Sequence, residues 1–191
     1  MGFGIVSVRP VYQGWGRFMT AKVRLPDGML ADRQIEDHGA SVAVLPYDAE
    51  RRMALLVRQP RTAATFASEG QAEELLEAVA GRLEQGGEAG EEARREAWEE
   101  TGLELGELER VARVWSSPEV STERVSLFLA PYRAGDRKAE GGGLAGEGES
   151  ITVVEMPLAE LAALADAGRL PDMKTLLLIQ TLRIRRSDLF R

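Results

Sequence analysis

The sequence predicts an α+β fold in which helices flank a mixed β-sheet. Segments with the alternating or apolar patterns of strands outnumber the helical segments, and most of them follow one another through short turns, as in hairpins. The chain has 191 residues, which suits one well-buried domain and is short for two. We expect residues 1–39 to form a β-hairpin extension and residues 40–191 to form the main domain.

The composition argues against several classes of protein. The formal net charge is −7, which is unlike a protein that coats nucleic acids or binds a membrane surface. The chain has no cysteine, so disulfides and thiolate metal sites are excluded. No apolar run reaches the roughly 18 residues that a membrane span needs, and the first residues lack a secretory pattern. We therefore expect a cytoplasmic protein that has neither nucleic acid nor a membrane as its partner.

The individual elements follow from local patterns. The first hairpin combines alternation in residues 18–23, the turn sequence Pro26-Asp27-Gly28 and a returning strand at residues 29–35. It has no obvious core of its own, so it should pack either on its own main domain or on a second subunit. Further strands are expected at residues 40–45, 53–57, 75–80, 108–115, 124–132 and 151–155, helices at residues 91–101, 157–167 and 172–186, and loops at residues 62–71 and 134–148. The expected core residues of the last helix are Leu176, Leu177, Ile179, Leu182 and Ile184.

The helix at residues 91–101 is strongly acidic. Glu92, Glu96 and Glu100 recur every four residues and so share one face, with Glu99 beside them. Like charges at this spacing repel one another, and Arg95 can neutralise only part of the stripe. Clustered carboxylates are hard oxygen ligands that suit Mg²⁺, which keeps coordination positions open for substrate phosphates. The simpler interpretation is a solvated charged face.

Three other acids stand in unusual places. Glu77 interrupts an apolar segment, so it either faces solvent at a sheet edge or serves a site near the acidic helix. Glu147 and Glu149 lie at the end of the glycine-rich loop. Such loop acids are commonly exposed surface residues, but a long loop can also act as a lid that brings a base to a metal site once substrate has bound.

The acidic helix and the loop before it resemble the signature of the Nudix hydrolases. That signature is Gly, five residues, Glu, seven residues, Arg-Glu, an apolar residue, any residue, Glu-Glu, any residue, Gly and an apolar residue. The agreeing positions are Gly81, Arg95, Glu96, Ala97, Glu99, Glu100, Gly102 and Leu103. One position differs, because Gly87 stands where the family has its isolated Glu, and Glu88 follows one residue late. In the family that Glu mainly tethers the loop to the Arg.

Similarity outside the signature points to one branch of the family. The sequences Arg58-Gln59-x-Arg61, Ser117-Pro118 and Lys174-Thr175 resemble the enzymes that hydrolyse nucleoside diphosphate sugars. The resemblance implies an α/β/α sandwich with a mixed sheet, an N-terminal hairpin exchanged between the subunits of a homodimer, and a substrate site built from both chains. It also implies a nucleotide-sugar substrate and Mg²⁺ as the cofactor, for which Mn²⁺ could substitute.

The resemblance assigns roles to three groups of residues. The implied metal ligands are the backbone carbonyl of Ala80 with Glu96, Glu100 and Glu149, and Glu99 is a further ligand or the neighbour of one. The implied catalytic residues are Glu147, as the base, and Glu99, and whether Glu147 or Glu149 is the base stays open. The implied substrate-binding residues are Arg58, Glu77, Arg61 and Ser117.

The expected reaction is Mg²⁺-dependent hydrolysis of a pyrophosphate bond, with ADP-ribose, giving AMP and ribose 5-phosphate, as the first candidate. GDP-mannose is the alternative substrate, because the acidic motif contacts only the pyrophosphate that both molecules share. Pro60 and Glu119-Val120 depart from the residues that relatives often have, which weakens the choice between them. A non-catalytic, nucleotide-sensing module of the same fold is disfavoured, since the metal-binding carboxylates of the signature are all present.

Overall fold

The computed structural model describes residues 2–71, 74–144, 146 and 150–191. Its strands are β1 (Gly4–Gln13), β2 (Arg17–Arg24), β3 (Leu30–Asp37), β4 (Ser41–Asp48), β5 (Met53–Gln59), β6 (Leu75–Glu77), β7 (Val79–Arg82), β8 (Glu109–Trp115), β9 (Arg124–Pro131) and β10 (Thr152–Pro157). Its α-helices are α1 (Thr62–Ala67), α2 (Ala89–Thr101), α3 (Leu158–Asp166) and α4 (Met173–Arg185), and 3-10 turns occur at Ala134–Asp136 and Ser187–Phe190. None of the described helices is long and apolar enough to cross a membrane.

The strands form two sheets. β1, β2 and β3 make an antiparallel sheet of three strands, while the main sheet has seven strands with the central order β10-β5-β4-β9-β8. β4 and β9 run parallel, whereas β5 is antiparallel to both β4 and β10. The mixed sheet predicted from the sequence is therefore confirmed.

Helices cover both faces of the main sheet. On one face, Ala93 and Ala97 of α2 pack on a cluster that includes Val44 of β4, and their small size lets the helix lie close to the strands. On the other face, α3 and α4 contribute Leu161 and Ile179 to a larger buried cluster. This arrangement confirms the predicted α/β/α sandwich.

A short segment fills the gap between two strands that diverge. β4 and β5 pair only next to their connecting turn, at Tyr47 with Ala54 and Asp48 with Met53. Beyond that point β6 pairs with β5 and β7 pairs with β4, so residues 75–82 form a wedge between them. We call this segment, residues 75–82, the wedge. It carries Glu77, Ala80 and Gly81 into the centre of the sheet.

The N-terminal sheet contains the predicted hairpin and one additional strand. β2 and β3 pair along their full lengths, and the turn between them uses Gly28 at a φ of +88°. β1 was not expected from the sequence. The sheet contacts its own main domain through residues 116–123, since the backbone N–H of Glu36 donates to Val120 O over 2.8 Å and the N–H of Thr122 donates to Glu36 O over 2.9 Å.

Two local expectations were wrong. The predicted loop at residues 62–71 contains helix α1. In α4, Ile179 and Leu182 are buried as expected, but Ile184 is 82% exposed and Leu177 is also exposed. The helical period of the segment did not by itself show which residues face the sheet.

Candidate active site

The acidic helix α2 begins and ends at well-formed caps. Glu88 is its N-cap, and the Glu88 carboxylate accepts hydrogen bonds from the backbone N–H groups of Gly90, over 2.7 Å, and Glu91, over 3.3 Å. Gly102 ends the helix in the left-handed conformation with a φ of +68°. The displaced acid in the signature is thus explained, because Glu88 satisfies the helix N-terminus.

Arg95 is held by acids of its own helix. Its guanidinium donates to Glu92 over 3.1 Å and to Glu96 over 2.5 Å, and it also forms an ion pair with Glu99. The hydrogen bond to Glu92 and the nearby carboxylates raise the pKa of Arg95 above its ordinary value, although burial acts in the opposite direction. These contacts fix the Arg95 guanidinium along its own helix.

The wedge lies directly against two of the acids. The backbone N–H of Ala80 donates to Glu100 Oε2 over 3.3 Å. A Cβ added to Gly81 would lie 1.8 Å from Glu96 Oε1, so the Glu96 carboxylate occupies the space that a side chain at residue 81 would need. Glu100 is 2% exposed, and Glu96 is also buried. The solvated-face interpretation of this stripe is therefore wrong.

Glu77 is buried under an arginine. It is 2% exposed, and it accepts hydrogen bonds from Arg61 Nε over 2.9 Å and from Arg61 Nη2 over 2.6 Å. This paired geometry holds the guanidinium in one plane. The hydrogen bonds to Glu77 raise the pKa of Arg61 above its ordinary value, against the opposing effect of burial. The solvent-facing position considered for Glu77 is therefore wrong.

A second polar cluster supports the wedge from α4. Thr175 Oγ1 accepts a hydrogen bond from the backbone N–H of Ala78 over 2.6 Å and donates to Asp172 Oδ2 over 2.5 Å. Lys174 Nζ lies 2.5 Å from Asp172 Oδ1 and 3.9 Å from Glu77 Oε2. Burial alone would raise the pKa of Asp172, but Lys174 and the hydrogen bonds from Thr175 outweigh it and lower that pKa. The wedge is thus anchored on both sides of the sheet.

These elements enclose a cleft of about 1220 Å³. Its walls come from the β1–β2 turn, the end of β5, the wedge, the loop before α2 and α2 itself. At the N-terminal side, the Trp15 ring stacks on His38 with 5.1 Å between ring centroids, and the Arg82 guanidinium lies 5.5 Å from the Trp15 ring centroid. The cleft therefore runs from an acidic end at α2 to an aromatic and basic end at the N-terminal sheet.

The structure brings several of the expected site residues together. Arg61, Ala80, Glu96 and Glu100 line the cleft. Glu77 lies beneath Arg61 and reaches the cleft only through that arginine. Segments far apart in the chain thus converge on one cleft.

Other expected residues lie elsewhere. Glu99 does not line the cleft and directs its carboxylate to Arg95. Arg58 pairs in register with Leu76, which belongs to the cluster beneath α3 and α4. Arg58 therefore lies on the face of the sheet that α3 and α4 cover, opposite to α2. Ser117 lies in the link that contacts the N-terminal sheet, and its carbonyl accepts from the N–H groups of Val120 and Ser121. Substrate roles for Arg58 and Ser117 stay predictions.

The two loop acids, Glu147 and Glu149, lie outside the described residues. Among the residues that are described, no three His, Cys, Asp or Glu side chains are arranged to hold a metal ion. Glu96 and Glu100 still present two carboxylates beside the backbone of the wedge. Carboxylate and carbonyl oxygens are the ligand atoms that a hard divalent cation prefers. The oxygens of Glu96, Glu100 and the wedge backbone are therefore chemically suited to hold such a cation.

Gln59 and Trp15 are among the cleft-wall residues that sequence reasoning did not assign to the site. Gln59 stood within a recognised motif, and strand alternation from Val57 would have placed it on the α2 face. Trp15 had no local signal, because its position depends on how the β1–β2 turn docks on His38.

The family model described as NUDIX domain matches residues 37–177 of the chain, which include most of the main domain. The chain belongs to the Nudix family. Among its Nudix relatives, the GDP-mannose pyrophosphatase of Cronobacter sakazakii is 39% identical over 153 residues, which cover 80% of this chain and 78% of the relative. The GDP-mannose pyrophosphatase of Citrobacter koseri is 36% identical over 150 residues, with coverage of 78% and 76%.

A solved structure described as an ADP compounds hydrolase has the same Nudix fold. Its TM-score is 0.78 at 16% identity, and the alignment covers 98% of this chain and 96% of that chain. With the Nudix domain and these relatives, the chain is a Nudix pyrophosphatase. Nudix hydrolases generally use divalent metal ions, which agrees with the oxygen donors at Glu96 and Glu100.

Proposed function

We propose that this Nudix pyrophosphatase hydrolyses the pyrophosphate bond of a nucleoside diphosphate sugar and uses Mg²⁺, or Mn²⁺ in its place. The products are a nucleoside monophosphate and a sugar phosphate. The observation that carries the proposal is the shared cleft of Arg61 with the buried acids Glu96 and Glu100. One side of such a cleft can bind phosphate oxygens, while the other can hold the cation that neutralises them.

Each side chain has a distinct task in this proposal. Arg61 donates to pyrophosphate oxygens, and its two hydrogen bonds to Glu77 fix the direction of the guanidinium. Glu96 and Glu100, with the carbonyl of Ala80, are positioned to hold the divalent cation, which when bound neutralises phosphate charge and activates water. Glu147 stays the predicted general base, and a base of this kind contributes roughly 10²- to 10⁴-fold in rate.

The substrate is best supported as GDP-mannose. The sequence motifs favoured ADP-ribose with GDP-mannose as the alternative, whereas the relatives at 39% and 36% identity are named for GDP-mannose. The test is a panel of nucleoside diphosphate sugars that contains both compounds, incubated with Mg²⁺ or Mn²⁺, with the products separated and identified. Preference for GDP-mannose in kcat/KM supports the proposal, and a preference for ADP-ribose restores the first expectation.

The cation site is tested with Glu100→Gln. This change keeps the shape of the side chain but removes its charge, so Mg²⁺-dependent turnover should be lost while the fold is retained. Glu104→Gln is the matched control, because Glu104 is exposed and does not line the cleft. Unchanged turnover in Glu100→Gln would refute the assignment. A wild-type protein that binds nucleotide sugars without hydrolysing any of them would instead support the sensing module.

The same proposal includes a homodimer that exchanges the N-terminal sheet. β1 is an edge strand whose large apolar residues are exposed: Ile5, Val6, Val8, Val11 and Tyr12. An exposed apolar edge strand favours pairing with another chain, and a second copy would cover it. The division of the chain at residues 39 and 40 remains part of this proposal.

Sedimentation equilibrium tests the dimer. Val8→Lys should shift the protein towards the monomer and lower its turnover, because the substrate site is proposed to use both chains. Ile184→Lys is the control, since Ile184 is an exposed apolar residue of α4, away from β1. A wild-type protein that sediments as a monomer at working concentrations would refute the dimer.

A further inference from the structure

The last turn of α2 carries Glu100, one of the proposed ligands of the cation. The final carbonyl groups of an α-helix have no hydrogen-bond partner within the helix, and helix ends fray for that reason. A carboxylate in such a turn is held only as firmly as the turn itself. Glu100 is nevertheless 2% exposed, and its Oε2 accepts from the backbone N–H of Ala80 over 3.3 Å. The C-terminal turn of α2 therefore needs partners from outside the helix.

Residues 137–143 supply those partners, and we call this segment the strap. Four consecutive carbonyl groups at the end of α2 accept hydrogen bonds from the strap: Glu99 O from the N–H of Gly143 over 3.1 Å, Glu100 O from the N–H of Gly142 over 2.8 Å, Thr101 O from Arg137 Nε over 3.1 Å, and Gly102 O from the N–H of Lys138 over 2.8 Å. The Arg137 charge is also favourable at the negative end of the helix dipole. The strap thus provides the hydrogen bonds that a further turn of helix would have provided.

Gly141 allows the strap to come this close to the helix. A Cβ added to Gly141 would lie 2.4 Å from Glu100 O and 2.5 Å from Thr101 Cα, closer than real Cβ contacts come. Both of these atoms belong to the backbone, so they cannot rotate away as the end of a flexible side chain can. Gly141 also has a φ of +76°, in the left-handed region that other residues adopt only at a cost. A side chain at residue 141 must therefore separate the strap from the last turn of α2.

We propose that Gly141 is a positioning residue for the cation site, because it lets the strap fix the helical turn that carries Glu100. This inference rests on the proposed function, since it assumes that Glu100 holds a divalent cation. In this role Gly141 contacts neither the cation nor the substrate, and its effect passes through the backbone of Glu100. Residues that orient a metal ligand without touching the metal typically contribute about 10- to 100-fold in metal affinity or activity.

Gly141→Ala tests the proposal. Its affinity for Mg²⁺ in calorimetry should fall roughly 10- to 100-fold, and a higher Mg²⁺ concentration should restore part of the lost turnover. Gly168→Ala, in the turn after α3, is the matched control, because its φ of +68° brings the same backbone strain while a Cβ there would meet no atom within 4 Å. This control should bind Mg²⁺ as the wild type does. Wild-type Mg²⁺ affinity in a folded Gly141→Ala variant would overturn the proposal, and so would an equal loss of affinity in both variants.

The amide resonance of Ala80 reports the position of Glu100 in the absence of metal and substrate. The Ala80 N–H donates to Glu100 Oε2, so a displaced carboxylate changes the surroundings of that proton. Gly141→Ala should shift this resonance in a proton–nitrogen NMR spectrum, whereas Gly168→Ala should leave it in place. A loss of stability alone would not move it. An Ala80 resonance that Gly141→Ala does not shift would overturn the proposal.

A second variant applies if Gly141→Ala does not fold. Arg137→Met removes the donor to Thr101 O without straining the backbone. The loss of a positive charge would by itself favour the binding of a cation. Weaker binding of Mg²⁺, by about 10-fold, therefore supports a displaced Glu100. Mg²⁺ binding as tight as that of the wild type, or tighter, would overturn the proposal.

The failure of the proposed function is distinguishable from the failure of this inference. If the wild type binds Mg²⁺ but hydrolyses none of the nucleotide sugars, the proposed reaction is wrong. Mg²⁺ calorimetry and the Ala80 resonance then still decide the role of Gly141. If the wild type hydrolyses a nucleotide sugar, and Gly141→Ala changes neither the Mg²⁺ affinity nor the Ala80 resonance, this inference alone fails.

Discussion

Gly81→Ala should inactivate the enzyme while leaving it folded. Gly81 is needed for the space around it, because its φ lies outside the left-handed region and any residue could adopt its backbone conformation. The added Cβ would lie 1.8 Å from Glu96 Oε1, 1.9 Å from Cδ and 2.5 Å from Cγ. The Glu96 carboxylate must therefore move away from the wedge, and the contact between Glu96 and Arg95 must change with it.

The size of the effect follows from these distances. Ordinary Cβ contacts begin at 3.4 Å, so the Glu96 oxygen has to retreat by about 1.6 Å, the difference between 3.4 Å and 1.8 Å. A displacement of roughly 1 Å at a reacting centre can cost about 100-fold in rate. We expect kcat to fall by about that factor, with weaker binding of Mg²⁺. Stability should change little, because Arg95 keeps its contacts with Glu92 and Glu99.

The assay compares steady-state hydrolysis at several Mg²⁺ concentrations with thermal unfolding of the same samples. Gly106→Ala is the matched control, since a Cβ at Gly106 would meet no atom within 4 Å. A folded Gly81→Ala variant with wild-type kcat and Mg²⁺ dependence would refute the idea that Gly81 fixes the position of Glu96. A variant that loses its fold would show that Glu96 has no room to move.

Three further substitutions test the supports of the site. Thr175→Val leaves the N–H of Ala78 without its acceptor and should lower the free energy of unfolding by about 1–3 kcal/mol in urea titrations; an unchanged midpoint contradicts this. The pKa of Asp172 in the folded protein is below its ordinary value of 3.8. The stabilisation of the fold by the Asp172 carboxylate is therefore complete above the pKa of Asp172 in the unfolded chain, and it is lost as pH falls through the pKa of Asp172 in the folded protein. Asp172→Asn should therefore be less stable than wild type at about pH 6, and this difference should shrink towards about pH 3 in urea titrations; a difference independent of pH refutes it. Glu88→Ala should lose about 1 kcal/mol of stability with kcat retained, and lost turnover at unchanged stability would mean that Glu88 does more than cap α2.

The sequence anticipated the elements whose signals are local. The acidic helix was expected at residues 91–101 and runs from Ala89 to Thr101, because alanine-rich, glutamate-rich sequence and a glycine stop act within a few residues. The β2–β3 hairpin was expected for the same reason, from its turn residues. β1 was missed, since it forms a strand through its pairing with β2 and its own residue pattern did not indicate a strand.

By itself, the sequence determined the family and the pyrophosphatase chemistry through its signature motif. It also determined the spacing of the acids, because a helical period places Glu92, Glu96 and Glu100 on one face wherever the helix lies. It also included Arg61 and Ala80 among the site residues. Only the tertiary structure decided which acids face the cleft. Alanines of α2 pack on the sheet and thereby turn Glu96 and Glu100 towards the wedge, while Glu99 remains with Arg95.

The wedge is the feature that no local pattern could predict. β4 and β5 diverge, and residues 75–82 enter between them, because hydrogen bonds form between strands that are distant in the chain. That insertion buries Glu77 under Arg61 and brings Ala80 to Glu100. The residue types come from the sequence, but their convergence on one cleft depends on long-range pairing that only the folded chain can form.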